Sequence, residues 1–308
     1  MTRRDLTTFL SALSPAPAQG HRNLCIVPVL AGDEAPSGKL TLDEALGRGL
    51  AEVTEVSEQG DVPRLLFLNH GNAPVLMIDG EELIGARQNR ILNLSILAPG
   101  RASLEIPVSC IEQGRWAWSS RRFTSSDRVI YASLRRANVE SVSANLRRRG
   151  HRHADQYAVW SSIAAKSVRL DASSQTWAAG ALYDRHAAEL QEFVQSFRSA
   201  DRQVGAIFHV NGRLAGLEIF GAPDLLARLL PKIIRGYALD ALDHALCGPA
   251  PPHAPDGTAL LSALARCRIT RHRAVGLGDD LRLTGQGLAG AALVAGGKPV
   301  HLTAYATT

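Results

Sequence analysis

The spacing of apolar residues predicts strands in the first third of the chain. Apolar runs occupy residues 24–30, 62–68, 75–78 and 91–97, and a further strand carries Leu104, Ile106, Val108 and Cys110 on one face. Every-second-residue spacing is typical of a half-buried β-strand. Asp79-Gly80 and Pro99-Gly100 are turn signals between these runs. Residues 24–112 are therefore predicted to form an antiparallel meander with one buried face, with Pro28 at an edge or a strand end.

Helical spacing dominates the middle of the chain. Helices are predicted over residues 41–50, 128–149, 155–169, 184–197, 224–246 and 258–265. Thr41 and Glu44 have the spacing of a capping box at the start of the first of these. Pro231 is expected to kink or split the helix over residues 224–246, because proline cannot donate the helical hydrogen bond.

The last third returns to strands. A hairpin is predicted over residues 204–220, with Asn211-Gly212 as its turn, and further strands over 269–275, 281–284, 288–294 and 300–305. This order predicts an α+β fold, with an antiparallel β-rich N-terminal part, a helical middle and C-terminal β strands. We predict an N-terminal helix in 1–20, an antiparallel β region in 21–125, and a helical layer with hairpin and C-terminal strands in 126–308. The last two segments form either two domains or one, and residues 248–257 are linker-like because they hold four prolines.

Composition limits the location and the cofactors of the protein. The 308 residues are 45% hydrophobic and 20% charged, as in a globular chain, and hold no apolar run of membrane-spanning length. Cys25, Cys110, Cys247 and Cys267 form no CxxC pair, so we expect a reducing, cytoplasmic setting. His151 and His153 lie among arginines whose charge opposes a divalent cation. We therefore expect no metal, no cofactor and no membrane partner.

Positive charge is concentrated in residues 115–152. This block holds ten arginines and two acidic residues, whereas the whole chain has a net charge of +5. Such a block attracts anionic partners, although a solvated helix face is the alternative. No known DNA-reading or RNA-reading motif accompanies the block, so a nucleic-acid partner is disfavoured.

Two polar motifs within strand-like sequence are the candidate sites of chemistry. The first, residues 79–93, contains Glu81, Glu82, Gln88, Asn89, Arg90 and Asn93. The second, residues 106–116, contains Glu112, Arg115 and Trp116. These groups either bind a ligand from a rigid sheet or satisfy backbone groups where the sheet bends. Cys110 is interpreted as a small core residue, because a neighbouring carboxylate disfavours its thiolate.

Both motifs resemble the signature of the ADP-ribosylglycohydrolase-and-rhodanese-phosphatase-superfamily-associated protein domain family. The resemblance extends over nearly the whole chain and includes the 205–220 hairpin and the closing strand with His301. Glu218 stands in that hairpin where the family pattern has an Asp-type residue. The family name records a gene neighbourhood, which implies a role in processing or sensing ADP-ribose or another NAD-derived metabolite.

The leading hypothesis is a protein that binds an ADP-ribose-like nucleotide, with its hydrolysis or transfer left open. Arg90 and Arg115 would clamp phosphates and Trp116 would stack. Glu82 and Glu112 would carry any proton transfer. The remaining contacts would come from Glu81, Gln88, Asn89, Asn93 and His301. The alternative is a non-catalytic ligand-binding or scaffold module that forms homo-oligomers through its helices.

Overall fold

The computed structural model describes residues 1–32, 35–172, 174–245 and 257–307, and these form the predicted α+β fold. The helices are α1 (Arg3–Ser11), α2 (Leu42–Gly47), α3 (Ala132–Arg149), α4 (Gln156–Arg169), α5 (Gly180–Arg185), α6 (Ala187–Ser196), α7 (Pro223–Ala245) and α8 (Gly257–Arg266). The first strands are β1 (Ser14–Pro15), β2 (Gln19–His21), β3 (Leu24–Leu30), β4 (Leu40–Thr41), β5 (Ala51–Glu55), β6 (Arg64–Asn69), β7 (Val75–Met77), β8 (Glu81–Gly85) and β9 (Arg90–Leu92). The others are β10 (Ile96–Ala98), β11 (Ala102–Cys110), β12 (Phe123–Val129), β13 (Gln203–Val210), β14 (Arg213–Phe220), β15 (Arg268–Arg273), β16 (Asp279–Gly285), β17 (Leu288–Ala295) and β18 (Lys298–Ala306).

These elements form two compact units, each assembled from separate chain segments. The first unit comprises Met1–Ser37, Gln191–Ala274 and Gly278–Thr308, and the second comprises Gly38–Leu190 and Val275–Leu277. The domain boundaries proposed from the sequence, after residues 20 and 125, stay a prediction. Of the linker-like stretch 248–257, all but Gly257 lies outside the described residues. Within the described ranges, no helix has the length and apolar character needed to cross a membrane.

The first unit is built on a nine-stranded antiparallel sheet. Its strand order is β1-β3-β13-β14-β18-β17-β16-β15, and β2 also pairs with β3. One face is apolar and packs against α1 and α8, while α7 packs along β13 and β14. The predicted hairpin turn is confirmed, because Asn211 and Gly212 have φ of 49° and 69°. Two successive positive φ values match the right-handed twist of the flanking strands.

The second unit contains a six-stranded antiparallel sheet in the order β12-β8-β9-β11-β6-β5 and a smaller sheet in the order β10-β7-β4. Its apolar core includes Val53 on β5, Leu92 on β9 and Val108 on β11. Side chains two residues apart share a face of a strand. Glu55, Arg90 and Cys110 therefore continue these rows, and all are buried. The core face of this sheet thus ends in polar residues.

The predicted 24–112 meander is wrong at its first strand and at one pairing. Residues 24–30 form β3, which pairs with β13 in the first unit rather than with its neighbours in sequence. The β4–β7 pair is parallel. Pro28 is not at a strand end; it lies opposite Ala206, and its carbonyl accepts the Ala16 N–H between β1 and β2. On this side β3 pairs with two short strands, β1 and β2, and the break between them lies beside Pro28. The missing proline N–H therefore interrupts no continuous row of hydrogen bonds.

Several predicted boundaries also change. The helix expected over 128–149 begins at Ala132, because 123–129 form β12 against β8, and Gly150 ends it with φ of 72°. The helix expected over 184–197 is found as α6, which begins at Ala187, while residues 184–185 end the preceding helix α5. The run 91–97 is divided between β9 and β10, where Asn93 and Ser95 bond other side chains. Pro231 does not split α7, which is continuous through it. The capping box of Thr41 and Glu44 is confirmed.

Candidate functional site

Hydrogen bonds join the two polar motifs into one network in the second unit. Glu112 forms an ion pair with Arg115 at 2.6 Å and accepts from the Asn89 backbone at 3.2 Å and the Thr176 hydroxyl at 2.9 Å. Both oxygens of the Glu112 carboxylate are thereby engaged. Gln88 donates to the Glu112 carbonyl, and the Asn89 side chain accepts from the Gly85 backbone. These contacts with backbone groups agree with the second interpretation of the motifs, in which their polar side chains satisfy backbone groups where the sheet bends.

Arg115 is used by the protein itself. Its guanidinium donates to the carbonyls of Ala86 at 2.8 Å and Ala117 at 3.0 Å, and to the Asn89 side chain at 3.0 Å. Arg115 therefore ties the backbone beside Arg87 to the backbone between Trp116 and Trp118. This geometry favours a framework role for Arg115 over a free phosphate clamp.

Burial and hydrogen bonding act in opposite directions on Glu112. Burial alone would raise the pKa of Glu112, but Arg115 and the Asn89 and Thr176 donors outweigh it and lower the pKa. A carboxyl with a depressed folded pKa adds stability above its unfolded pKa and loses it as the pH falls through the folded value.

We expect Glu112→Gln to be less stable than the unaltered protein at pH 7, by about 1–3 kcal/mol, because Arg115 loses its anionic partner. The difference should begin to shrink below about pH 4.3, where the carboxyl of the unfolded chain is protonated, and should be smallest below the lowered folded pKa, where the native carboxyl is protonated as well. Urea unfolding of both proteins across pH 3–7 measures this difference. Glu140→Gln, at an exposed position on α3, is the control. A difference independent of pH would contradict the assignment.

Arg90 is fully buried and incompletely bonded. One nitrogen, Nη1, donates to Gln88 at 3.0 Å, but Nε and Nη2 have no hydrogen-bond partner among the described residues. Burial lowers the pKa of Arg90, and nearby acidic groups, including Glu55, counteract this. Its guanidinium lies 5.7 Å from the Trp116 ring.

Glu55 is a buried carboxylate that is also incompletely hydrogen-bonded: among the described residues, Arg90 has donors without acceptors, and Glu55 has an acceptor without a donor. Its Oε1 accepts a long hydrogen bond of 3.4 Å from the Arg87 backbone, and its Oε2 has no partner in the described part of the chain. Native proteins satisfy most buried polar atoms, so each exception calls for an explanation such as a catalytic role or an additional bound group. Glu55 and Arg90 are two such exceptions at the polar end of one core face.

A cleft of about 970 Å³ opens at this position. It is lined by Thr54, Glu55, Ser57, Glu58, Gln59, Arg87, Trp118, Ser119, Ser120 and Arg121. The Arg87 guanidinium lies 4.8 Å from the Trp118 ring and 5.5 Å from the Trp116 ring. Both indoles are nearly half exposed, at 47% and 45%. Gly60 packs against this group, and a Cβ there would lie 3.0 Å from Arg87.

Glu82 lies in a separate ion-pair cluster of the second unit. Its Oε2 bonds Arg128 at 2.6 Å, and Arg128 also pairs with Asp184 at 2.9 Å. Burial opposes the Arg128 charge, but Glu82 and Asp184 outweigh it and raise the pKa of Arg128. The second oxygen of Glu82, Oε1, is buried and has no partner among the described residues.

Two further candidates of the first motif, Glu81 and Asn93, form hydrogen bonds with neighbouring parts of the chain. Glu81 accepts from the Ile78 backbone at 2.7 Å. Asn93 accepts from Ser109 at 2.7 Å and donates to the Arg152 carbonyl at 3.2 Å.

His301 lies in the first unit, within its own polar cluster. Its ring bonds Glu218 Oε2 at 2.8 Å and stacks on Phe220, while Glu218 Oε1 accepts from Tyr237 and Thr303. Cys110 is fully buried, as expected of a core residue, and burial raises the pKa of its thiol. In the described ranges, no group of three or more His, Cys, Asp or Glu side chains is arranged to hold a metal ion.

The basic block is partly neutralised within the second unit. At least four of its arginines have carboxylate partners: Arg115 with Glu112, Arg122 with Glu52, Arg128 with Glu82 and Arg135 with Asp79. Arg147, Arg148 and Arg149 are exposed in the last turn of α3. The charge available to a nucleic acid is therefore smaller than the sequence sum.

Glu55, Arg87 and Trp118 were not among the site residues predicted from the sequence. Glu55 had a detectable signal, because it follows Ala51 and Val53 at every second position and so puts a carboxylate on an apolar face. Arg87 lies inside the first motif, and Trp118 follows the second by two residues. No pattern in the sequence indicates that their side chains meet.

The structure therefore defines an α+β fold with a polar cleft beside the two motifs. The chain matches the model of the ARG and Rhodanese-Phosphatase-superfamily-associated Protein domain over residues 12–305, and it belongs to that family. ARG denotes ADP-ribosylglycohydrolase, so the name associates the family with those enzymes and with the rhodanese-phosphatase superfamily. No curated protein and no solved structure matches the chain.

Proposed function

We propose that the second unit binds an ADP-ribose-like nucleotide in the cleft lined by Glu55, Arg87 and Trp118. The observation that carries this proposal is the position of Arg87, a cation beside two half-exposed indoles at a cleft of about 970 Å³. Small-molecule sites commonly occupy about 300–1,000 Å³, so the cleft has room for a dinucleotide-sized ligand.

The chemistry of the cleft suits the parts of such a nucleotide. A guanidinium forms charge-assisted, bidentate hydrogen bonds with phosphate oxygens. Arg87 Nη2 donates to the Glu58 carbonyl, whereas its buried Nε has no partner in the described ranges, and Arg121 adds a second, exposed cation. An indole face stacks on a base, a contact worth about 1–3 kcal/mol. Trp118 offers such a face on the cleft wall. The association of the family with ADP-ribosylglycohydrolases supports the same ligand class.

The motif residues act as a frame for this cleft in our proposal. Arg115 and Glu112 fix the backbone of Ala86 and Ala117, and these residues adjoin Arg87, Trp116 and Trp118. We therefore assign the phosphate contact to Arg87 in place of Arg115. Direct ligand contacts by Gln88, Asn89 and Trp116 stay predictions.

Any hydrolysis or transfer would need a group that can move a proton. Of the two predicted carboxylates, Glu112 has both oxygens engaged, whereas Glu82 Oε1 lacks a partner among the described residues. Glu82, however, lies with Arg128 and Asp184 and does not line the cleft, so it is out of reach of a ligand bound there. We therefore assign no proton transfer in this cleft and restrict the functional proposal to binding.

Binding predicts a ligand-dependent rise in melting temperature. ADP-ribose at about 100 times its Kd should stabilise the fold by about 2.7 kcal/mol, which corresponds to a rise of several degrees. The comparison ligands at millimolar concentration are NAD, AMP and ribose 5-phosphate. Trp118→Ala should melt near the unaltered protein without ligand, because its side chain is half exposed, and should lose most of the shift. No shift with any of these nucleotides would contradict the proposal and favour the scaffold alternative.

A further inference from the structure

The cleft contains a group that the phosphate contact does not use. Glu55 is the last residue of β5 and lines the cleft, although the residue is only 7% exposed. Its Oε2 has no hydrogen-bond partner in the described part of the chain. A buried carboxylate in this state lacks the donors that normally offset its desolvation.

The surrounding residues do not supply those donors. The negative charge of Glu55 favours the charged form of Arg90 and so partly offsets the lowering of the Arg90 pKa by burial. Among the described residues, however, no ion pair within 4.0 Å joins the two side chains. Gln88 holds one end of the Arg90 guanidinium. The Arg87 backbone reaches only the other oxygen of Glu55, at 3.4 Å.

We infer that Glu55 accepts hydrogen bonds from the ribose hydroxyls of the bound nucleotide, and this inference rests on the proposed function. A carboxylate is an acceptor without donors, so it repels phosphate and selects a ligand group that donates. Buried acidic residues read ribose hydroxyls in this way in dinucleotide-binding folds. In an ADP-ribose-like ligand the neutral donors are the ribose hydroxyls and the adenine amine.

The neighbours of Glu55 favour the sugar over the base. The residues near Glu55 in sequence that line the cleft carry hydroxyl and amide groups: Thr54, Ser57 and Gln59. The aromatic surface of the cleft belongs to Trp118. A ribose needs several polar partners around its ring, and a base needs a flat apolar face. The ligand would therefore place ribose at Glu55 and phosphate at Arg87, whose backbone N–H bonds Glu55.

This arrangement also predicts selectivity against a phosphorylated sugar. A phosphate on the ribose hydroxyl would replace a donor with an anion beside the Glu55 carboxylate. Like charges at close range are unfavourable, so such a ligand should bind more weakly than its unphosphorylated counterpart.

Calorimetric titration tests the inference with ADP-ribose and two analogues that lack the 2′-hydroxyl of one or the other ribose. For the unaltered protein, one analogue should bind about tenfold or more weakly than ADP-ribose, as expected for losing a hydrogen bond to a charged group. For Glu55→Gln, that difference should fall to about threefold or less. Glu58→Gln, an exposed carboxylate of the same cleft, should retain the full difference.

Each of the following outcomes would overturn the inference. Equal binding of all three ligands by the unaltered protein would show that no ribose hydroxyl is read. Retained discrimination in Glu55→Gln, with its melting temperature unchanged, would place the reading group elsewhere. A hypoxanthine analogue that loses affinity only when Glu55 is intact would assign Glu55 to the base. If Glu55→Gln does not fold, Glu55→Asp replaces it: the carboxylate is one methylene shorter, so the discrimination should fall. Discrimination equal to that of the unaltered protein would place the reading group elsewhere. Absence of any ADP-ribose binding by the unaltered protein would overturn the proposed function itself, and the inference with it.

Discussion

Arg135→Ala is expected to lower the free energy of unfolding by about 3–5 kcal/mol, because it removes one partner of the buried ion pair between Arg135 and Asp79. Arg135 is 1% exposed and donates to both carboxylate oxygens of Asp79, at 3.1 and 3.0 Å. The pair joins α3 to the Asp79-Gly80 turn, where Gly80 has φ of 79° and lies against the Arg135 side chain. Chemical denaturation measures the change.

Arg148→Ala is the matched control for this prediction. Arg148 is on the same helix but exposed, so its removal should change stability by less than about 0.5 kcal/mol. The double variant Asp79→Asn with Arg135→Ala should recover part of the loss, since it also removes the buried negative charge that Arg135 offsets. Equal effects of the two single arginine variants would contradict the role assigned to the buried pair.

Arg87→Met is expected to weaken ADP-ribose binding by about 10–100-fold, because it removes the cation assigned to the phosphates while retaining a long apolar side chain beside the indoles. Calorimetry gives the Kd, and the melting temperature without ligand shows whether the fold is retained. Arg87→Lys should lose less affinity, since it keeps the charge but not the planar guanidinium.

Arg147→Met provides the control outside the cleft. Arg147 is an exposed arginine in the last turn of α3. Its replacement lowers the net charge by the same amount and should leave the Kd within about threefold if the loss in Arg87→Met is local. A similar loss in both variants would indicate a nonspecific electrostatic effect.

Local elements of this fold follow from local sequence, and strand partners do not. The turn at Asn211-Gly212 and the capping box of Thr41 and Glu44 depend on residues within a few positions of one another, and both predictions are confirmed. The partner of β3 is β13, and the two strands are about 180 residues apart in the chain, as the pairing of Val27 with Ile207 shows. Apolar alternation places a residue on a face of a strand but contains no information about which strand lies beside it.

The candidate site shows the same limit. The two motifs were predicted to hold functional groups together, and the structure brings Gln88, Asn89, Glu112 and Arg115 into one network. It could not be predicted that Arg115 would donate to the Ala86 and Ala117 carbonyls, because those acceptors are backbone atoms present at every position. Glu55 is different, since a carboxylate in an apolar row is visible in the sequence before any fold is known.

A crystal structure of the protein with bound ADP-ribose tests the central claim most directly. The proposal predicts a phosphate oxygen within about 3 Å of the Arg87 guanidinium, one ring of the ligand against Trp118, and a ribose hydroxyl on Glu55 Oε2. An ordered nucleotide outside this cleft, for example at Glu218 and His301 in the first unit, would contradict the claim.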